Sequence, residues 1–384
     1  MRIRRLLQLV SSVVFLDVAA FAAITPLLPS YVESYHLTKT QAGILVGAYP
    51  AGTFLAALPA IWFAKRFGVK LTVIVGLSGL GLSTAAFALA HSALVLELAR
   101  VTQGLSGAFS WGGALGWLIS RAPPEKRGET IGFALAAALA GAMLGPALGG
   151  AAIELSPELI FGTLAAISLA LAALTFTVDA PLRPTTPEVW QIPVALRDLR
   201  VRAGLWLVLL FGMSFGAVDT LAPLQMDASG LGGTGIALAF IGAVAIETVL
   251  APLLGRVTDQ RGRLAPVRLC LPLAVVVMLF FGWAGSVGPL VLLVVLCGLA
   301  IGPLWTPGTA LFSDGAEDAG VDHVVSFSLS NVAWAMGGLV GAYGAGALAE
   351  LSAEPLPYSL LALLCAATLL WIRRNTGLLS RSRV

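Results

Sequence analysis

Twelve apolar segments, each long enough to cross a membrane as a helix, run through almost the whole chain and decide what it can fold into. They lie at 6–28, 41–64, 71–90, 93–119, 131–153, 158–178, 204–226, 235–255, 266–285, 288–311, 325–348 and 356–372. A crossing helix needs about 20 apolar residues. Lipid offers the backbone no hydrogen-bond partners, so segments of this length form helices. The sequence therefore predicts an all-α polytopic membrane protein with twelve transmembrane helices.

Basic residues fall almost entirely on one side of the membrane once these segments are taken as crossings. Of the 23 Lys and Arg residues, only Lys39 lies in an opposite-side connection and only Arg100 lies deep inside a segment. Short cytoplasmic loops accumulate Lys and Arg, so both termini are predicted in the cytoplasm. Charges spread over short loops beside the bilayer indicate topology and not a nucleic-acid surface. We expect a monomeric, multi-pass protein of the cell membrane, with lipid and a small molecule as partners.

The two halves of the chain repeat each other. A shift of 194 residues superposes Pro29 on Pro223, Gly68 on Gly262, Gly104 on Gly298 and Trp111 on Trp305. A proline-rich, charged segment at 181–203 separates the six-helix bundle predicted at 1–180 from the one at 204–384. Paired halves are typical of transporters that bind substrate near the middle of the bilayer.

Four ionisable residues lie well inside the apolar segments: Asp17, Arg100, Asp219 and Glu247. Each costs at least ~2.5–3.5 kcal/mol at a helix centre, so by default such residues are paired or functional. Asp17 lies roughly 18 Å along its helix from Arg5, near the midplane. A carboxyl balanced between burial and a nearby cation can bind and release a proton. We therefore predict proton coupling at Asp17 with Arg100 as its partner; a static ion pair between them is the alternative.

The two acids of the second half are predicted as further proton-coupling residues. Glu247 has no obvious basic partner in its segment, so it is a second proton site, a binder of a cationic substrate, or a protonated structural residue. Asp219 lies in the outer part of the seventh segment, where we expect a watery vestibule.

Polar and aromatic residues on three segments are candidates for the wall of a substrate cavity. They are Gln103, Ser110, Trp111, Trp305, Thr306, Asn331 and Trp334. Trp111 and Trp305 are related by the repeat, so we expect them to face each other. An aromatic cavity with few charges suits flat, lipophilic and cationic molecules better than sugars or phosphates. Helix packing or an interfacial belt is the alternative role for Trp.

Several motifs lie at corresponding places in the segments. The first segment carries Asp17 followed by Pro26-x-x-Pro29, and the fourth carries Arg100-x-x-Gln103-Gly104. The fifth holds the run Gly141, Gly145, Pro146, Gly149 and Gly150. The regions after the second and eighth segments carry Arg66 and Gly68, and Gly255, Asp259, Gly262 and Arg263. Together these motifs resemble the major facilitator superfamily, and within it the twelve-helix drug/proton antiporter branch that includes the tetracycline/proton antiporters.

This resemblance implies two pseudo-symmetric six-helix bundles and a secondary active transporter. Its expected function is export of lipophilic, drug-like molecules in exchange for protons by alternating access, with the proton as coupling ion and no other cofactor. In this family the glycine–proline run is associated with exporters, and the loop motifs help to latch the cytoplasmic side. Lys65 stands where the first loop motif has an acid, so that latch departs from the family pattern.

Other functions remain as alternatives. Export of a small endogenous solute, such as a sugar or an amino acid, comes second, and a proton-coupled importer comes third. An intramembrane enzyme would need a base beside Ser106, but the three histidines fall in connections, and neither H-E-x-x-H nor a phosphate loop is present. Cys270, Cys297 and Cys365 lack metal-ligand spacing, so we predict no metal site.

Overall fold

The computed structural model describes residues 2–122, 127–179, 193, 196–318 and 323–379, and these residues are almost entirely helical. The helices are α1 (Arg2–Ala22), α2 (Leu28–Tyr35), α3 (Lys39–Phe67), α4 (Val69–Ala88), α5 (Ala93–Arg121), α6 (Arg127–Glu154), α7 (Pro157–Thr175), α8 (Leu199–Ala228), α9 (Gly233–Arg261), α10 (Leu264–Phe281), α11 (Val287–Ala300), α12 (Trp305–Asp318), α13 (His323–Leu351), α14 (Pro355–Arg374) and α15 (Thr376–Leu379). Two 3₁₀ turns, η1 (Thr25–Leu27) and η2 (Gly302–Leu304), join α1 to α2 and α11 to α12. The predicted all-α fold is confirmed.

Eleven helical stretches within the described residues are long and apolar enough to cross a membrane. They coincide with eleven of the twelve predicted segments. The remaining segment forms α5, a helix of 29 residues. Glu97, Arg100 and Gln103 make it less apolar than the others.

The first and tenth predicted segments are each interrupted by a 3₁₀ turn. Pro26 lies in η1 and Pro303 lies in η2. Because proline has no backbone N–H and crowds the preceding turn, it interrupts the α-helical hydrogen bonds at both places.

The chain packs into two compact units. Unit 1 comprises Met1–His36, Ala48–Thr186 and Gly233–Ile241, and unit 2 comprises Leu37–Gly47, Pro187–Gly232 and Gly242–Val384. The start of α3 thus belongs to unit 2 and the start of α9 to unit 1. The division into bundles at 1–180 and 204–384 stays a prediction, and most of the predicted linker 181–203 lies outside the described residues.

The repeat seen in the sequence reappears as matching helix pairs within the units. In unit 1, α1 packs on α6 and α4 on α7; in unit 2, α8 packs on α13 and α10 on α14. A Cβ added to Gly145 would lie 2.9 Å from the carbonyl oxygen of Ala19. One added to Gly337 would overlap the carbonyl oxygen of Leu209. Small residues therefore let the paired helices approach closely in both units.

Gly68 and Gly262 occupy the same position in the two repeats and share an unusual backbone conformation. Their φ angles are +88° and +86°, in the region that favours glycine. Each connects two long helices: Gly68 precedes α4 and Gly262 follows α9. The repeated glycine is therefore explained by the sharp turn between consecutive helices.

Candidate functional site

Asp17 lies in α1, deep in unit 1, and only 3% of its surface is exposed. The Tyr49 hydroxyl, from α3, donates a hydrogen bond to Asp17 Oδ2 at 2.8 Å. Asp17 Oδ1 is buried and has no hydrogen-bond partner among the described residues. A buried acceptor without a hydrogen-bond partner destabilises the folded protein. This oxygen is therefore a candidate site for binding a proton.

Arg100 lies in α5 beside the same tyrosine and is 1% exposed. Its Nη1 donates to Gln103 Oε1 at 3.1 Å, and its Nη2 donates to the Phe21 carbonyl oxygen at 3.3 Å. The guanidinium also lies over the ring faces of Tyr49 and Phe21, 5.1 and 5.4 Å from the centroids. Tyr49 therefore contacts both charged groups: its hydroxyl binds the acid and its ring receives the cation.

Glycine on α5 makes room for this cluster. A Cβ added to Gly107 would lie 2.5 Å from Tyr49 Oη and 3.0 Å from Asp17 Oδ1. The first distance is too short for a real Cβ and the second is tight, so a side chain at position 107 would displace the tyrosine hydroxyl or the acid. Together, Asp17, Tyr49, Arg100 and Gly107 form what we call the proton cluster.

The glycine–proline run of α6 packs against the opposite side of α1. Gly141 meets the carbonyl oxygen of Phe15, and Gly149 meets that of Ala23. Gly145 packs between them, and Pro146 lies within the helix. Gly150 faces Ala237 of α9 instead. The run therefore contacts α1 both before and after Asp17 along the chain.

Glu247 lies in the middle of α9, in unit 2, and is half-buried. Its carboxyl oxygens lie 2.7 Å from where a Cβ on Gly302 would be. The side chain thus rests on η2, the interruption between α11 and α12. Among the described residues none forms a hydrogen bond or ion pair with Glu247.

Asp219 does not lie in an open vestibule as predicted. It is 6% exposed, within unit 2. Gly216, one turn earlier on α8, packs against Gly338 and Ala342 of α13. Residues three apart share a helix face, so the close packing of α8 on α13 encloses Asp219 as well.

Two predicted cavity residues, Gln103 and Ser110, lie inside the packing of α4 on α5. Gln103 Nε2 donates to Thr84 Oγ1 at 3.1 Å, and its side chain is 1% exposed. Ser110 is fully buried, and its backbone N lies close to Gly76. The cavity assignment is corrected for both, since the face of α5 that carries them is turned towards α4.

The remaining predicted cavity residues are more accessible. Thr306 is exposed, and Trp111, Trp305, Asn331 and Trp334 are half-buried. Trp305 meets Phe211 of α8 edge to face, with ring centroids 5.7 Å apart. Lining of a substrate cavity by these residues stays a prediction.

The loop motifs differ between the two halves. In unit 2, Arg263 Nε pairs with Asp314 Oδ2 of α12 at 3.1 Å. The Asp259 side chain lies outside the described residues, and a Cβ on Gly255 would meet open space. In unit 1, Arg66 stacks over Phe67 at 5.9 Å. Lys65 forms no ion pair with any described residue.

A third charged group lies at the start of α8. The Arg200 guanidinium bridges Asp198, at 3.0 Å, and Asp318 of α12, at 2.6 Å. Asp198 also caps α8 by accepting the backbone N–H of Arg200 at 2.7 Å. Burial alone would raise the pKa of Asp198, but the hydrogen bonds from Arg200 lower it below its ordinary value.

The lowered pKa gives a pH-dependent prediction for Asp198→Asn. A depressed pKa in the folded state contributes stability above the ordinary value of about 4, and this contribution is lost as the pH falls through the folded pKa. Asparagine keeps a capping oxygen but removes the charge. We expect the wild type to melt about 1–3 °C above the variant at neutral pH, and the two to converge below about pH 4. Tryptophan-fluorescence melts in detergent measure this; a gap unchanged at acidic pH would contradict the prediction.

Lys39, the basic residue predicted in an opposite-side connection, belongs to a group of polar side chains in unit 2. Its Nζ pairs with Glu354 Oε1 at 2.7 Å. Gln225 Nε2 donates to Glu354 Oε2 at 2.6 Å, and Tyr358 donates to Gln225 Oε1 at 3.1 Å. The start of α3 is thus tied to α8 and α14.

Glu354 makes both of these contacts, so its loss should cost more than the loss of Lys39. The ion pair is about one-third exposed on each side, and such pairs contribute roughly 0.2–1 kcal/mol. We expect Lys39→Met to lower the melting temperature by about 1–3 °C and Glu354→Gln by more. The double variant should have the same melting temperature as Glu354→Gln alone. If the two losses in melting temperature add instead, the two residues are not coupled.

Two members of the proton cluster were not predicted from the sequence. Tyr49 is the hydrogen-bond donor to Asp17, and Gly107 makes its space. A lone tyrosine in the apolar second segment was an available signal, whereas Gly107 is one of 43 glycines.

A repeated, all-helical fold with charged side chains buried among its spans is typical of membrane transporters. A family model described as Major Facilitator Superfamily matches residues 10–342. The chain belongs to this superfamily. It is accordingly a transporter of this superfamily and not an enzyme.

Two relatives show similarity over part of the sequence. The chain is 27% identical over 218 residues to the quinolone resistance protein NorA of Staphylococcus aureus (strain MRSA252), covering 55% of this chain and 56% of that protein. It is 28% identical over 202 residues to the MFS-type transporter ppzB of Metarhizium rileyi, covering 49% of this chain and 41% of that protein. The matches span about half the length of these relatives.

Solved structures match over nearly the whole chain. A bacterial homolog of the human lysosomal transporter Spinster gives a TM-score of 0.72 at 16% identity, covering 98% of this chain and 96% of that one. A POT family transporter in complex with 5-aminolevulinic acid gives 0.76 at 13% identity, covering 98% and 97%. At these identities the likeness shows the fold alone, and the predicted major facilitator fold is confirmed.

Proposed function

We propose that the chain exports lipophilic, drug-like molecules in exchange for protons. One observation carries the proposal: a buried carboxyl in α1 accepts one hydrogen bond at Oδ2 and has no partner among the described residues at Oδ1. Similarity to a quinolone resistance protein supports a drug-like substrate.

The proton cluster has the parts that exchange requires. Hydrogen bonds and nearby charges both change the proton affinity of a carboxyl. Asp17 accepts a hydrogen bond from Tyr49, and the Arg100 guanidinium lies over the ring of the same tyrosine. Small changes in these contacts therefore change proton affinity. Coupling needs proton and substrate to have different affinities for the two states of the transporter.

The packing of α6 on α1 would link the proton affinity of Asp17 to movement of these helices. The glycine run contacts α1 backbone atoms before and after Asp17, and Tyr49 holds the acid from α3. We infer that protonation neutralises Asp17 and favours the return step, and that substrate binding promotes proton release.

Reconstitution tests the exchange directly. Purified protein in vesicles with an acidic interior should accumulate external ethidium or norfloxacin, with the membrane potential clamped by potassium and valinomycin. A protonophore should abolish the accumulation. An acidic exterior should give none. Accumulation driven only by the acidic exterior would indicate symport, and gradient-independent equilibration would indicate a facilitator; either result overturns the proposal.

A further inference from the structure

We propose that Glu247 and the interrupted tenth span bind the positively charged end of the substrate, an inference that rests on the proposed function for the existence of a lipophilic substrate. The site is built within unit 2 from α9, η2, the start of α12 and α8. It is separate from the proton cluster, which lies in unit 1.

The tenth span is broken where its counterpart in the first half is continuous. α11 ends at Ala300, η2 spans Gly302–Leu304, and α12 begins at Trp305. The shift of 194 residues places this break on Ala108–Ser110, which lie inside the unbroken helix α5. The break is thus not required by the repeated fold.

Glu247 is directed at this break. Its carboxyl group occupies the space that any side chain at position 302 would need. The fit parallels the proton cluster, where Gly107 on α5 leaves room for Asp17. The carboxyl therefore lies against the backbone of η2.

No group of the described chain neutralises Glu247. None of these residues donates a hydrogen bond to it or forms an ion pair with it. Arg256, on the same helix, is nine residues away, roughly 13 Å along the axis. An acid at this depth costs several kcal/mol unless it is paired. Because Glu247 is only half-buried, a cation from outside the protein can reach it.

Aromatic rings beside the break favour an organic cation over a metal ion. Trp305 follows Gly302 by three residues, about 6 Å along a 3₁₀ turn. It packs edge to face on Phe211, which stacks on Phe215 at 5.9 Å. All three rings are half-buried. Ring faces attract ammonium and phosphonium groups, and the single carboxylate supplies the opposite charge.

Equilibrium binding tests the site without any gradient. Tetraphenylphosphonium is the cationic probe, and triphenylphosphine oxide is a neutral probe of similar shape. Calorimetric titrations in nanodiscs should show that Glu247→Gln lowers the affinity for the cation at least about tenfold. The affinity for the neutral probe should stay within about twofold of the wild-type value. Glu129→Gln, at an exposed acid of α6, is the matched control and should change neither.

Gly302→Ala gives a second, independent disturbance of the same site. The added methyl group would displace the Glu247 carboxyl. The affinity for the cation should therefore fall again, and the affinity for the neutral probe should not. Gly288→Ala is its control, because a Cβ at that position meets open space.

Three results would overturn the inference. They are an unchanged affinity for the cation in Glu247→Gln, an equal loss for both probes, and no binding of the cation to the wild type. Failure of this binding site can be distinguished from failure of the proposed proton exchange. Glu247-dependent binding without proton-driven flux would refute the exchange and leave this site standing.

Discussion

Replacing Asp17 by asparagine is expected to abolish proton-driven transport and to leave folding and membrane insertion intact. Asparagine matches the shape of the carboxyl and still accepts a hydrogen bond from Tyr49, but it cannot exchange a proton. The side chain is buried at the contact between α1, α3 and α5. The variant therefore loses the coupling group without opening a cavity. Drug uptake into acid-loaded vesicles measures the loss.

Two measurements separate loss of coupling from loss of structure. Asp227→Asn changes an exposed acid at the end of α8 and should transport like the wild type. Counterflow, in which labelled substrate exchanges for unlabelled substrate without a gradient, should persist in Asp17→Asn because it needs no net proton movement. Unimpaired gradient-driven uptake by Asp17→Asn would remove this residue from the mechanism.

The fold follows from sequence because lipid leaves the backbone few choices. Hydropathy places the helices, since each apolar stretch of sufficient length forms one. Repeated glycines also indicate local structure directly. Gly68 and Gly262 indicate tight turns, and Gly145 indicates a close contact between helices. These features depend on local chain geometry or on size alone.

The site was predicted less completely because it depends on which face of a helix meets which neighbour. Gln103 and Asp17 were both candidates by depth and polarity. Only the packing shows that Gln103 turns to Thr84 while Asp17 turns to Tyr49. Likewise, α3 contributes to both units, although its mostly apolar sequence at 42–64 gives no sign of the division. A rotation of one residue on a helix, about 100°, changes a cavity residue into a core residue.

Replacing Gly107 by alanine is expected to reduce proton-driven uptake strongly, because the Asp17 and Tyr49 side chains occupy the space beside its Cα. Alanine there would place a methyl group 2.5 Å from Tyr49 Oη and 3.0 Å from the Asp17 carboxyl. Something must move, and the carboxyl and hydroxyl are the groups that can. Misplacement of reacting groups by about 1 Å costs on the order of a hundredfold, so proton-driven uptake by Gly107→Ala should fall by about tenfold to a hundredfold.

Gly112→Ala is the matched control for this substitution. It lies on the same helix, and a Cβ at that position meets no atom within 4 Å. Alanine there should stabilise α5 slightly, by up to about 1 kcal/mol from its higher helix propensity, and should leave uptake unchanged. Helix propensity acts on both substitutions alike, so any difference in transport between them comes from contact with the proton cluster. Equal transport in the two variants would mean that the position of Asp17 against α5 does not matter to proton exchange.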